Sequence, residues 1–116
     1  MHELLVTKSI LDIVLRHAAS NGVERVLAID LSIGALSDLE AEWIQKYFDH
    51  LSKGTPAEGA KLRVRRSRLT FRCEPCFQDF TAGREELDGA SCPECGSREV
   101  ALISGTGYTV ESMEAE

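Results

Sequence analysis

The hydrophobic pattern changes period several times along the chain. Between residues 7 and 21, Ile10, Leu11, Val14, Leu15 and Ala18 recur at helical spacing while Lys8, Asp12 and Arg16 fall mostly elsewhere, so an amphipathic helix is predicted. Asn21-Gly22 follows as its stop, because glycine accepts the left-handed backbone of a helix end. The period then drops to two: Leu27, Ile29, Leu31 and Ile33 alternate with Ala28, Asp30 and Ser32, which predicts a strand with one buried face. After Gly34, the run Ser37-Asp38-Leu39-Glu40 fits a capping box, in which the serine hydroxyl and the glutamate carboxylate satisfy exposed amides at a helix start. The helix predicted to follow places Leu39, Trp43, Ile44, Tyr47, Phe48 and Leu51 on one core face.

Gly54 and the TPAEGA loop close that element, and KLRVRRSRLTFR is extended, with Leu62 and Val64 alternating against Lys61, Arg63 and Arg65. From Cys73 to Gly96 the periodicity disappears and short cysteine-bearing loops replace it. VALISG then reads as a returning strand, and Tyr108, Val110 and Ser112 alternating with Thr109 and Glu111 as a last one. The whole is α+β: a small mixed sheet with two helices, into which a zinc-ribbon-like domain is inserted.

Composition narrows the function class. With 43% apolar and 28% charged residues in 116, the chain has an ordinary globular balance and room for one modest core plus an appendage. No apolar run approaches a membrane span, and no secretory signal pattern is present, so a cytoplasmic location is expected. In that reducing compartment four cysteines are not expected to form disulfides. The net charge of −6 argues against a general polyanion binder.

The cysteines are spaced Cys73-x-x-Cys76, fifteen residues, Cys92-x-x-Cys95, the spacing of a zinc site. Two thiolates in one tight turn face a common point, and a second turn completes a tetrahedron of the kind Zn²⁺ accepts. Four protein ligands leave no position for a reacting water, so the site is structural. A redox Cys-x-x-Cys would need one reactive pair at a helix start, whereas here two pairs sit in loop-like sequence. Gly96 follows its pair as zinc knuckles usually require, but Phe77 stands in the equivalent place, so the first knuckle is expected to be less regular.

Other residues carry two readings each. His17 and His50 sit near helix C-termini and are read as surface or cap histidines, neither being spaced for a metal motif. His2 is either an idle terminal residue or half of a chelate. The Met1 amine, the His2 amide and imidazole nitrogens and the Glu3 amide can surround one ion in a plane, a set that favours Ni²⁺ or Cu²⁺ over Zn²⁺. Met1 is expected to stay in place, because initiator removal normally needs a small second residue. Lys61, Arg63, Arg65, Arg66, Arg68 and Arg72 form a basic stretch that a zinc-ribbon module binding nucleic acid or protein would use. Alternatively it is the charged face of a strand, with Glu111, Glu114 and Glu116 available to pair with it.

Taken in order, MHE, GALSDLE, KGTPAEGAKLRV, CPECGS and ISG…VESME resemble HypA/HybF, the nickel metallochaperone family of NiFe-hydrogenase and urease maturation, over essentially the full length. The resemblance implies a nickel-binding α/β domain from residues 1–68 plus 106–116 and a zinc domain from 69–105. It places nickel at Met1, His2 and Glu3, adds Glu40 as a further candidate near that site, and makes Cys73, Cys76, Cys92 and Cys95 the zinc ligands. It implies Zn²⁺ as structural cofactor and Ni²⁺ as transported ion. The implied partners are a HypB-type GTPase, the NiFe-hydrogenase large-subunit precursor and urease maturation proteins, with neither nucleic acid nor catalysis. Thr106-Gly107-Tyr108 departs from the family, which commonly has an Arg-Glu-Leu-like segment there.

Overall fold

The structure, a computed structural model, describes residues 3–116. The chain folds into two compact units. One takes the N-terminal part to Ser32 with Asp38–Arg65 and Thr109–Glu116; the other takes Ile33–Ser37 with Arg66–Tyr108.

In the first unit, helix α1 runs Glu3–Ser20, four residues earlier than the apolar period indicates. Its early turn is not read from periodicity because Leu4 and Leu5 are exposed while Glu3 and Thr7 are buried. At the other end Gly22 takes φ 64°, and the Val23 N–H reaches the Ala18 carbonyl at 2.9 Å, closing the helix as expected. Strand β1 (Val26–Gly34) is the middle of a sheet ordered β2-β1-β6, with β2 at Lys61–Ser67 and β6 at Tyr108–Ala115. On the second face the side chains of Arg63 from β2 and Ser112 from β6 reach across to Asp30, and the short Ala28 and Ser32 beside it are buried along with Ile29, Leu31 and Ile33, so the predicted single buried face is corrected.

Helix α2 (Ala41–Leu51) packs on α1. Ile44 and Phe48 are fully buried, with Ile10 and Val14 of α1 and Leu62 of β2 also in the core. Trp43, predicted to face the core, is 44% exposed. Its ring lies 5.9 Å from that of Tyr47, and the Lys46 ammonium sits over it at 4.8 Å. The core-facing stripe of α2 is thus narrower than predicted by one residue.

The second unit is built on a sheet ordered β4-β3-β5, formed by Leu69–Cys73 (β3), Asp79–Ala82 (β4) and Val100–Ser104 (β5). β3 and β4 form an antiparallel hairpin in which Phe71 faces Phe80 and Arg72 faces Asp79. β5 lies antiparallel on the other side of β3, with an irregularity between Thr70 and Phe71. The apolar cluster here is small, Leu69, Phe71 and Ala82, with Ala35, Leu36, Phe80, Ala90 and Val100 against it. The 33–37 segment joins this unit through backbone bonds, Gly34 N–H to Gly107 O at 2.9 Å and Leu36 N–H to Gly105 O at 2.8 Å. Gly107 takes φ 80°, a left-handed backbone that glycine adopts without strain.

Candidate metal centres

β3 ends at Cys73 and β4 begins at Asp79, so the first cysteine pair occupies the tip of a hairpin. The second pair lies in the loop before β5. The fold brings all four thiols together: their sulfurs lie within 4.8 Å of one another. The pairing crosses the two knuckles, with Cys73 Sγ 3.5 Å from Cys95 Sγ and Cys76 Sγ 3.6 Å from Cys92 Sγ. A tetrahedral ion with bonds of about 2.3 Å sets its sulfurs about 3.8 Å apart, so the residues fit such an ion. All four are free cysteines.

The surrounding backbone prepares the sulfurs unequally. Burial pushes the Cys73 thiol up to about 12, against a backbone N–H from Cys76 that lowers it. At Cys92, N–H groups of Cys95 and, more weakly, Glu94 point at the sulfur and bring it down to about 7 despite burial. The predicted irregularity of the first knuckle is not found. Phe77 adopts φ 62°, close to the 76° of Gly96, and both donate to the carbonyl four residues back, at 2.9 and 2.8 Å. The backbone bonds hold the phenylalanine in the glycine's conformation.

At the other candidate centre, Met1 and His2 lie outside the described residues. Glu3 and Glu40 are brought together, although 37 positions separate them. The Glu40 N–H donates to the Glu3 carboxylate at 3.1 Å, and Glu3 is buried while the Glu40 side chain is exposed. This corrects the capping box. The helix starts at Ala41, Glu40 is the N-cap residue, and no side-chain cap bond is made there. The bond that a glutamate three residues into the helix would make to the N-cap amide comes instead from Glu3 of α1. Sequence reasoning placed Glu3 as a ligand through its amide and missed this use of its carboxylate, because no local pattern links the two positions.

Four of the six residues of the basic stretch form ion pairs. In the first unit Arg63 makes a two-pronged bond to Asp30 at 2.8 and 3.1 Å, and Arg65 a similar one to Glu111 at 2.8 and 2.7 Å. Arg63 also reaches Glu114 at 3.6 Å. In the second, Arg72 pairs with Asp79 at 2.8 Å and Arg68 with Glu86 at 4.0 Å, while Arg66 donates to the Gly34 and Ser37 carbonyls. The Arg63 bond, with a smaller contribution from the Ser112 hydroxyl, holds the Asp30 carboxyl below the usual range.

A family model described as hydrogenase/urease nickel incorporation, metallochaperone, HypA, matches residues 1–115. The chain belongs to the HypA family. Among its relatives, the hydrogenase maturation factor HypA of Methanopyrus kandleri is 35% identical, with all of this chain and 94% of the relative covered. That of Syntrophus aciditrophicus is 41% identical over 91% of this chain and 90% of its own. The fold is similar to the solution structure of the Ni metallochaperone HypA from Helicobacter pylori, with a TM-score of 0.74 at 22% identity, covering 99% of this chain and 97% of that one. Among the described residues no helix is long and apolar enough to cross a membrane.

Proposed function

We propose that the chain is a nickel metallochaperone that binds Ni²⁺ at its N-terminus and hands it on during NiFe-hydrogenase maturation, and in urease maturation as well. The observation that carries this reading is the match to the nickel-incorporation family over residues 1–115. Met1 would supply its amine, His2 its amide and imidazole nitrogens, and Glu3 its amide. The geometry of α1 supports that assignment. The first amides of a helix have no partner within it, so the Glu3 N–H at the head of α1 is available. Two deprotonated amides would neutralise the ion's charge, so the complex would meet no opposition from the positive end of the helix. The Glu3 carboxylate, engaged with Glu40, positions that end of α1 and is not spent on the ion. Glu40 acts beside the site through its backbone.

Cys73, Cys76, Cys92 and Cys95 would hold Zn²⁺ as a structural ion in a domain of residues 69–105, inserted in a nickel-binding domain of 1–68 and 106–116. When bound, zinc supplies cohesion that a cluster as small as Leu69, Phe71 and Ala82 lacks. The protein works in the cytoplasm, catalyses no reaction, receives or passes nickel with a HypB-type GTPase, and delivers it to the hydrogenase large-subunit precursor. The carboxylates that match Arg63, Arg65 and Arg72 weigh against the alternative of a nucleic-acid module, which would need those charges for phosphates.

Nickel titration of tag-free, zinc-loaded protein, beside a form extended by one residue before Met1, tests the reading. The extension keeps every side chain but removes the amine from the chelate. One nickel bound with a planar-site spectrum in the native form alone is expected. Equal binding by both forms would place nickel elsewhere and refute the N-terminal site.

A further inference from the structure

The two cysteine knuckles carry the same backbone bonds on different residues. Phe77 N–H donates to Cys73 O and Cys73 N–H to Gln78 O, both at 2.9 Å. In the second knuckle Gly96 N–H donates to Cys92 O at 2.8 Å and Cys92 N–H to Ser97 O at 2.9 Å. The left-handed backbone this turn demands is free to glycine. A side chain there crowds the following carbonyl, which biases the turn toward opening by about 5- to 30-fold. Packing does not offset that bias, because Phe77 is 76% exposed.

The base of the first knuckle is fixed. Arg72 and Asp79 face one another at the end of the hairpin and are joined by a two-pronged ion pair at 2.8 and 3.1 Å. Relief of strain is therefore confined to the tip. Cys73 is buried at the end of β3, whereas Cys76 is half-buried in the tip itself.

We infer that Cys76 is the labile arm of the tetrathiolate. The tip opens ahead of the second knuckle and releases Cys76 while Cys73, Cys92 and Cys95 keep their hold. The freed sulfur would then face solvent, and the vacated position would be open to an incoming donor. Simple exposure points the other way, because Cys95 is the exposed cysteine of the four. The two arguments can be separated.

The inference rests on the zinc reading, so elemental analysis comes first. A chain that neither retains nor takes up one zinc overturns both. On zinc-loaded protein, amide hydrogen exchange by NMR then compares Phe77 with Gly96, two matched donors. After correction for intrinsic rates, Phe77 should exchange about 5- to 30-fold faster. Phe77→Gly should bring that amide to the Gly96 rate and leave Gly96 unchanged. Limited alkylation read by mass spectrometry should label Cys76 first, a preference that Phe77→Gly abolishes. If one zinc is bound but Phe77 exchanges as slowly as Gly96, or Cys95 is alkylated first, the inference fails and the zinc site stands.

Discussion

Glu3→Ala removes the acceptor used by the Glu40 N–H at 3.1 Å, the side-chain bond that ties the N-cap amide of α2 to α1. A hydrogen bond to a charged group contributes about 1.5–3 kcal/mol, and Glu3 is buried, so solvent does little to replace it. Glu3→Gln keeps an acceptor and loses only the charge at the helix start, an effect of about 0.3–1 kcal/mol. Trp43 is the single tryptophan of the chain and lies on α2, so its fluorescence follows this unit without interference. Urea unfolding of nickel-free, zinc-loaded protein should therefore show a midpoint lowered by about 1 M in Glu3→Ala, given slopes of about 1–3 kcal/mol/M. Glu3→Gln should fall between that and the native protein. A Glu3→Ala loss below about 0.5 kcal/mol, the range of an ordinary surface change, would refute the clamp between the two helices.

Removing zinc with a chelator should unfold the second unit, whose apolar cluster is small, and leave fluorescence of Trp43, a residue of the first unit, unchanged; amide NMR signals of Phe71 and Val100 surviving chelation would contradict this. Gly34→Ala would drive a Cβ into the Gly105 carbonyl oxygen and should destabilise the second unit by about 1–3 kcal/mol or more, read as a lower melting temperature of its amide signals. Asp30 has a folded pKa below its ordinary 3.8 because of Arg63. Its contribution is therefore fully present above 3.8 and is lost as pH falls through the lower folded value. The stability gap between native protein and Asp30→Asn should thus be constant near neutrality and close in acid; a gap independent of pH throughout would argue against the Arg63 pairing.

The elements themselves were legible because each depends on neighbours in sequence. The 3.6-residue stripe through Ile10 and Val14, the stop at Asn21-Gly22 and the alternation around Ile29 are local signals, and the elements form where they indicate, although β1 is buried on both faces instead of one. The Cys-x-x-Cys spacing is local in the same way: each pair must sit in one turn, and only their mutual approach awaits the fold. The capping box failed because its residues were consistent with a cap but another acceptor, Glu3, reached the amide from a different helix. Trp43 failed because a helical stripe has a width that only the neighbouring α1 defines.

By itself, then, the sequence determined the two helices, most of the strands, the four thiols as one metal set and the family to which the chain belongs; β4 falls where it showed only cysteine-bearing loops, and β2 and β3, read as one extended run, lie in different sheets. Tertiary structure alone decided the pairs that depend on chain segments meeting at a distance. Glu3 caps α2, Arg63 and Arg65 spend their charge on Asp30 and Glu111, and Ile33–Ser37 groups with the cysteine-bearing unit through Gly105 and Gly107. The physical reason is the same in each case. A turn or a stripe is fixed by covalent spacing, whereas a buried carboxylate, an ion pair across strands or a glycine contact exists only once folding has set which surfaces lose water together.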